Sequence, residues 1–573
     1  MPIVNAEIVG QLGQIADLLE IEAANPFRVR AYRRAAQLVS ELPRNVTDML
    51  AAGEDLDDLP GIGPDLAGKI ATLARGEPLP LMAEMTREVP AAVTDLLAVP
   101  SLGPKRVHLL HEMLGIDSIE TLAAAARTGK LRGVPGIGPA IEASVLRAVA
   151  TGGAPPQRTK LSTAEQIVRP LLRHLRQAAG VLHVEVAGSY RRQRETVGDL
   201  DIVVAAEPSG PVMQGFTGYD RVDEIIEQGP TRASVRLRGG LKVDLRVVPA
   251  ASFGAALCYF TGARAHNIAL RQIALDRGWK LNEYGLFAGT RQLAGATEAG
   301  LYDQLGLALI PPELREDPGE IDASRERTMP YLVGLEDLRG DLHVHTTASD
   351  GRDNLLAMAQ AAQAKGYSYI AITDHSRRIA IAHGLDANRL AQQIDAIARL
   401  NAGLSGLTVL SGIEVDILED GTLDLPDQIL QRLDLVVGAI HSRFDLPPAK
   451  QTERVLRAMD HRFFNILAHP TGRLIDERPA YAIDMERVMR GAVERGCYLE
   501  VNAQPDRLDL TEQHCRLARN LGLRLAISTV AHAAAELDVM RFGVGQARRG
   551  WLEAKNVLNT YPLPALRKLL RRG

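Results

Sequence analysis

Two sets of side chains in this sequence have types and spacings that could do chemistry. The first is acidic. Asp199 and Asp201, in DLDIVVAA, lie two residues apart against an apolar run, and a third acid, Asp244, interrupts LKVDLRVVP. Residues two apart on a strand share one face. A lone carboxylate in a strand is usually an edge residue or a cap. Three acids on neighbouring strands form an oxygen-rich cluster suited to Mg²⁺, because they repel one another unless a divalent ion neutralises them. Two ions held this way can activate a hydroxyl and stabilise a leaving pyrophosphate. The second set is His343, His345, Asp350, His375, Glu414, His441, His469 and His532, at or just beyond the ends of apolar runs. Six of the chain's 14 histidines fall in it. One histidine at a strand end is most often structural; a series of strands carrying His or Glu there points to metal ligation. Mixed His and carboxylate ligands suit Zn²⁺, Mn²⁺ or Fe, and their number suggests two or three ions.

The histidine set needs a scaffold that repeats. Seven strand-like runs, DLHVH, YIAITDH, LTVLSGIEVDI, LDLVVGAIHS, FNILAHP, YLEVNA and RLAISTVAH, recur roughly every 25 to 40 residues, each followed by helical sequence. This is the spacing of βα units in a barrel-like α/β fold, where active groups gather at the C-terminal strand ends. The acidic set needs a sheet, and VEVAG, DLDIVVAA and LKVDLRVVP read as its strands. Upstream, residues 1 to about 150 read as helical, from segments such as IVGQLGQIADLLEIEAA and AYRRAAQLVSELP. One pattern recurs there: LPGIGPDLAGKI (Leu59 to Ile70), VPSLGPKRVHLL (Val99 to Leu110) and VPGIGPAIEASV (Val134 to Val145). Its glycines permit φ > 0, and its second proline starts a helix. Backbone N–H groups at such a turn make a seat for phosphate. A single copy reads equally well as a plain connector. Three copies within 90 residues do not.

At 573 residues and 46% hydrophobic content the chain is too long for one core and too apolar for wholesale disorder. No apolar run approaches the roughly 18 residues of a membrane span, and the start lacks a basic segment before an apolar one. Cys258, Cys497 and Cys515 form no CxxC pair and no disulfide framework. The expectation is a cytoplasmic protein in a reducing compartment. A net charge of −4 means that a nucleic acid would be held by local patches and not by a global basic field. The 10 lysines against 56 arginines suit bidentate phosphate contacts, although a GC-rich genome gives the same skew.

In the order in which they fall, these motifs resemble a family X DNA polymerase followed by a polymerase and histidinol phosphatase (PHP) domain, over essentially the whole chain. The resemblance implies a fold of all-α helix-hairpin-helix domains, an α+β nucleotidyltransferase palm and a C-terminal α/β PHP domain built as a distorted (β/α)7 barrel. Gly188-Ser189-Tyr190-Arg191-Arg192 matches the family's GS motif, in which Gly188, Ser189 and Arg192 hold the nucleotide's β,γ-phosphates. Asp199, Asp201 and Asp244 match the catalytic, metal-binding aspartates, and Arg246 the residue that pairs with one of them as the site opens and closes. Tyr259-Phe260-Thr261-Gly262 resembles the YFTG turn that disfavours a ribose 2′-hydroxyl, with Asn267 and Arg271 at the base and template minor groove. Without the surrounding motif, Tyr259 and Phe260 would read as core packing. Gly61, Gly63, Gly103, Gly136 and Gly138 are the hairpin glycines that address DNA phosphates without reading sequence.

The amino-terminal segment resembles the family's lyase domain, with Lys69, Tyr32 and Arg28 at matching positions. A Schiff-base lysine needs a lowered pKa. Asp65 stands where lyase members have a second lysine, so 5′-phosphate binding is expected over efficient lyase chemistry. Eight of the nine PHP ligand positions are filled; at the ninth, STVAH places Val530 where the family has an aspartate. One ion should therefore be held weakly and the 3′-5′ exonuclease weakened. The expected boundaries are 1–80 for the lyase-like helical domain and 81–155 for the two further hairpins. They continue with 156–250 for the palm, 251–316 for nucleotide selection, 317–338 for a linker and 339–573 for the PHP domain. The expected function is filling of short gaps in base excision repair by a monomer, on gapped or nicked duplex DNA with dNTPs, without a membrane partner. The cofactors are Mg²⁺ at the palm and Mn²⁺ or Zn²⁺ at the PHP site, where cleavage at abasic sites is a further possibility. Two alternatives are a polymerase whose PHP domain only positions DNA, and a DNA-tethered phosphoesterase without polymerase activity. The intact aspartates argue against the second.

Overall fold

The computed structural model describes residues 5–42, 45–59, 61–88, 93–94, 96–99, 102–138, 141–142, 145–146, 158–316, 319–378 and 382–571. By its contacts the chain forms two units, residues 1–179, 198–200 and 208–245, and residues 180–197, 201–207 and 246–573.

The first unit begins with helices Asn5–Ile21, Pro26–Glu41, Val46–Ala51, Pro64–Ala74, Pro80–Glu88, Pro104–Leu114 and Ile119–Arg127. Their apolar faces meet in one core, in which Ile8, Leu12, Ile15 and Leu19 of the first helix pack with Tyr32, Val39, Ile70, Val107 and Leu110. A fully buried leucine or isoleucine there contributes about 2 kcal/mol, so truncating Leu12 to alanine removes about 2–5 kcal/mol once the cavity is included. Helix starts carry their expected signals. Asn25 accepts from the Phe27 N–H, Ser118 and Thr121 form a capping box, and Pro64 and Pro104 stand in the first turn after Gly63 and Gly103.

A five-stranded sheet follows in the order Val181–Val186, Asp199–Ala206, Lys242–Val248, Arg232–Leu237, Val222–Gln228. On Lys242–Val248 the side chains of Val243, Leu245 and Val247 are buried, whereas Lys242, Asp244 and Arg246 are half-exposed. That alternation is the strand period of two.

In the second unit, helices Phe253–Thr261, Arg264–Leu275 and Glu298–Gln304 pack with a small antiparallel sheet of Lys280–Asn282, Gly285–Ala288 and Arg291–Ala294. The stretch 317–338, expected as a linker, is instead packed structure, although residues 317–318 lie outside the described ones. It carries a helix, Glu320–Arg325, and Ile321 and Leu332 join a core with Leu270, Tyr302 and Leu314. Glu320 is fully buried 2.6 Å from His266 Nδ1. Proline and charge set the composition of this stretch and mask the few apolar positions that anchor it.

The rest is a barrel of seven parallel strands in sequence order: Gly340–Val344, Tyr369–Ile372, Thr408–Asp416, Leu435–Ala439, Ile466–Leu467, Tyr498–Asn502 and Leu525–Ser528. A parallel bridge between Val344 and Ala531 links the last strand's end to the first and nearly closes the ring. The strands are buried on both faces, which explains why they read as continuous apolar runs.

Candidate active sites

The barrel gathers its predicted ligands at one end. His343 is the penultimate residue of the first strand with His345 just beyond it, His375, His441, His469 and His532 follow their strands, and Glu414 lies inside the third. Among the described residues, three groups bring ligand atoms within 4.8 Å of one another: His345, Asp350, His375 and His532; His343, His345 and Glu414; and His375, Glu414 and His441. Glu414 is the hub. Its Oε2 lies 2.7 Å from His375 Nδ1 and 3.5 Å from His343 Nε2, and its Oε1 lies 3.0 Å from His469 Nε2 and 3.4 Å from His441 Nε2. Asp350 Oδ1 is 3.4 Å from His532 Nε2.

Three of the rings are turned by partners outside the cluster. His343 Nδ1 donates to Glu500 Oε1 at 2.8 Å, His441 Nδ1 to Asp416 Oδ1 at 2.9 Å, and His532 Nδ1 to the Val530 carbonyl at 2.9 Å. Glu500 also accepts from the His469 backbone N–H at 2.8 Å. These bonds fix the ring orientations and leave each Nε2 for the centre. Glu500 and Asp416 were missed in the sequence, although each is an acid within an apolar strand run. The loop carrying Asp350 is pinned through Asp374, which accepts from the Thr346 N–H at 2.8 Å and the Thr346 hydroxyl at 2.7 Å.

The electrostatics favour a cation. Burial, with His532 and His375 alongside, holds His345 well below the usual imidazole range, and burial pushes His469 down to about 4. Burial opposes protonation of His343 and His441 too, but Glu500 with Glu414 holds the first up at about 10, and Glu414 with Asp416 the second at about 9. Glu414 is held well below the carboxylate range: His375, His343 and His441 overcome the burial that would raise it. Among the described residues, His343 Nε2, both His345 ring nitrogens and Glu414 Oε2 are buried without a hydrogen-bond partner. Buried atoms of this kind are costly unless paired, and divalent metal ions fit them. Val530, at the ninth position, has φ +50°, and its N–H is held by the His343 carbonyl at 2.9 Å.

In the five-stranded sheet, Asp199 and Asp201 lie two apart on one strand, and Asp244 lies on the next strand in the order. Asp244 is neutralised by Lys242 Nζ at 2.8 Å and bonded by the Ser234 hydroxyl. Gly188 has φ +62°, and a Cβ there would strike the Asp201 carboxylate, so glycine is required. Arg246 stacks 5.5 Å over the Phe260 ring, the electron-rich face of which attracts the guanidinium. Tyr259 meets Phe260 edge-on at 5.1 Å, and Arg271 lies 5.1 Å over Tyr259. Asn267 closes the turn by donating to the carbonyls of Tyr259 at 2.7 Å and Gly262 at 3.0 Å. Arg192 is fixed by Glu316 Oε1 at 2.9 Å and the Thr261 carbonyl at 2.7 Å, and Ser189 of the same short helix is half-buried.

Among the helices, Gly61 and Gly136 take φ +82° and +80°, as the hairpin turns require, whereas Gly63 and Gly103 cap helices with extended backbone. Gly138 accepts from the Ile141 N–H at 3.0 Å; the Pro139 that follows it, with Pro60, Pro100 and Ser101 of the other hairpins, lies outside the described residues. Lys69 Nζ is 2.6 Å from Asp65 Oδ2 and 5.3 Å over the Tyr32 ring. Burial works against its charge, but the neighbouring Asp65 carboxylate and Tyr32 outweigh it, so the lysine pKa is raised. Arg28 is exposed. Among the described residues no helix is long and apolar enough to cross a membrane.

Family models match along the chain: helix-hairpin-helix domain at residues 3–77, SAM-like helix-hairpin-helix tandem at 93–150, and DNA polymerase beta palm at 157–214. DNA polymerase beta thumb matches 256–316 and PHP domain 341–504. The chain is 37% identical over 571 residues to the "DNA polymerase/3'-5' exonuclease PolX" of Bacillus subtilis, covering 99% of each chain. Over 213 residues, 35% of this chain and 81% of the other, it is 30% identical to a "Probable phosphatase" of Thermoanaerobacter sp..

Proposed function

We propose that this chain, which belongs to the family X DNA polymerases carrying a C-terminal PHP domain, fills short gaps in duplex DNA during base excision repair and trims 3′ ends with its barrel. It is a DNA-directed DNA polymerase; the full-length likeness to a DNA polymerase/3'-5' exonuclease carries this conclusion.

Asp199, Asp201 and Asp244 would hold Mg²⁺, for which three carboxylates on adjoining strands are a suitable donor set. Bound Mg²⁺ supplies an acidified primer hydroxyl and charge stabilisation for the departing pyrophosphate. Asp244 exchanges its bond to Lys242 for that role and orients the 3′-hydroxyl. Gly188, Ser189 and Arg192 bind the β,γ-phosphates, the guanidinium offering a planar pair of donors. Tyr259, Phe260 and Gly262, braced by Asn267 and Arg271, bring backbone close to the sugar and exclude a 2′-hydroxyl. Arg246, seated on Phe260, supports that turn. The hairpin glycines seat backbone phosphates, and their N–H groups read no bases.

In the helical segment, Asp65 keeps Lys69 protonated, which favours binding of a 5′-phosphate over Schiff-base chemistry. In the barrel, His343, His345, Asp350, His375, Glu414, His441, His469 and His532 would hold two or three ions such as Mn²⁺ or Zn²⁺. Those ions supply a water acidic enough to attack a phosphodiester. Val530 offers no ligand atom, so the ion at His343, His345 and Glu414 is held weakly and the exonuclease is slow. The substrates are gapped or nicked DNA and dNTPs, and the protein acts as a cytoplasmic monomer.

The test is single-nucleotide insertion with Mg²⁺ on a one-nucleotide gap, with and without a 5′-phosphate. Faster insertion at the phosphorylated gap supports this reading, and equal rates at both gaps oppose it.

A further inference from the structure

Arg549, the last residue of helix Met540–Arg549, has a side chain only 3% exposed. A buried guanidinium persists only where its donors are paired. Arg549 Nη1 donates to the Arg192 backbone carbonyl at 2.9 Å and lies 3.3 Å from Glu316 Oε1, and Nη2 donates to Glu512 Oε1 at 3.0 Å. The same Glu316 oxygen receives Arg192 Nε at 2.9 Å and Arg194 Nη1 at 3.3 Å. One carboxylate oxygen is therefore shared by three guanidinium groups, two from the GS turn and one that follows the last barrel strand. Burial would raise the Glu316 carboxyl, but Arg192, Arg549 and Arg194 hold it below the usual range, so it stays charged.

Two further contacts tie the same turn to the barrel. Arg473 Nη2 donates to Glu195 Oε2 at 2.6 Å. Gly545, on the helix that ends in Arg549, lies so near Gln193 that a Cβ there would come within 3.1 Å of its side-chain oxygen.

We infer that Arg549 is a positioning residue for polymerisation: the barrel holds the GS turn so that Arg192 can receive the incoming nucleotide's triphosphate. The inference rests on the reading of Arg192 as a triphosphate ligand. Arg549 acts on Arg192 in two ways. It anchors the Arg192 backbone carbonyl, and it shares the charge of Glu316. A triphosphate takes Arg192 more easily from a carboxylate that two other arginines also neutralise. Without Arg549, the turn loses an anchor and Glu316 holds Arg192 more tightly. Both changes weaken nucleotide binding and leave the reacting aspartates untouched. A PHP residue that never meets the nucleotide thereby sets its affinity.

The experiment is steady-state gap filling by the full chain carrying Arg549→Ala, Arg549→Lys or Arg192→Ala, with inhibition by inorganic pyrophosphate measured alongside. Arg549→Ala should raise KM for dNTP about tenfold with kcat and DNA affinity within about twofold, the pattern of a lost binding contact. The pyrophosphate inhibition constant should rise by a similar factor. Arg549→Lys keeps the buried charge, and so the fold, but its single ammonium cannot span Arg192, Glu316 and Glu512. It should raise KM at least about threefold, and it carries the test if the alanine variant does not fold. An unchanged KM in Arg549→Lys, or a fall in kcat with KM constant, overturns the inference. If Arg192→Ala also leaves KM unchanged, the reading of Arg192 fails first; if it raises KM where Arg549→Lys does not, the inference alone fails.

Discussion

Replacing Val530 with aspartate would restore the acid that the resemblance places at the ninth ligand position. Its backbone is held by the His343 carbonyl, and its own carbonyl accepts from His532 Nδ1, so the change alters the side chain without moving the seam of the barrel. Valine at φ +50° stores about 1–2 kcal/mol of backbone strain, because β-branched residues fit the left-handed region poorly. Aspartate tolerates that region, and the substitution should release about 1 kcal/mol of the strain. Against this, position 530 is only 8% exposed, and a new carboxylate enters an end of the barrel that already holds Glu414 and Asp350. That burial costs about 1–3 kcal/mol without a neutralising cation. The two effects nearly cancel, so without added metal the melting midpoint should stay level or fall slightly. With Mn²⁺ above both dissociation constants, a hundredfold gain in affinity adds about 2.7 kcal/mol. For a domain of this size that is a rise of about 5–10 °C. The assay is a melting series across Mn²⁺ concentrations, paired with 3′-5′ degradation of a labelled single strand. If Val530→Asp leaves both the Mn²⁺ dependence and the degradation rate unchanged, the ninth ligand is dispensable and the reasoning is refuted.

Glu500→Gln keeps the shape that receives His343 Nδ1 and the His469 N–H but removes the charge; metal affinity should drop about 10–100-fold, checked by metal content after dialysis. DNA affinity should fall steeply and log-linearly with salt at any duplex sequence, and a strong preference for one sequence at fixed salt would count against hairpin binding to phosphate. Glu298 is held below 4.5 because Arg191 and Arg315 outweigh its burial, so its stabilising effect is full above that value and disappears as pH falls through the depressed one. Glu298→Gln leaves Arg315, 1% exposed, without its charged partner, which should cost about 3–5 kcal/mol at pH 7. The melting gap to the parent should narrow as pH falls below 4.5, and a constant gap would refute the linkage.

What the sequence made legible was whatever repeats or alternates. The strands of the barrel, the hairpin turns and the aspartate strands all follow from period and spacing, because burial on one or both faces writes itself into the order of residues. The likeness to a full-length relative bears out the polymerase reading. The segment 317–338 was misread because Ile321 and Leu332 anchor it with too few apolar residues to make a pattern. The seat of Arg246 on the Phe260 ring depends on tertiary placement that no spacing encodes. The sharing of Glu316 among Arg192, Arg194 and Arg549 was equally hidden, since 357 residues separate Arg192 from Arg549. Glu500 was within reach, an acid inside an apolar strand, but it lacks the strand-end position that drew attention to the histidines.

The central claim is that Asp199, Asp201 and Asp244 carry nucleotide addition while the helical hairpins carry DNA. Primer extension across a one-nucleotide gap with Mg²⁺, run beside a DNA-binding titration for the parent and Asp201→Ala, tests it most directly. The parent should insert the templated nucleotide, and Asp201→Ala should insert none while binding DNA within about twofold of the parent, because the hairpins reach phosphates independently of the acids. Appreciable extension by Asp201→Ala, or no extension by the parent, would contradict the claim.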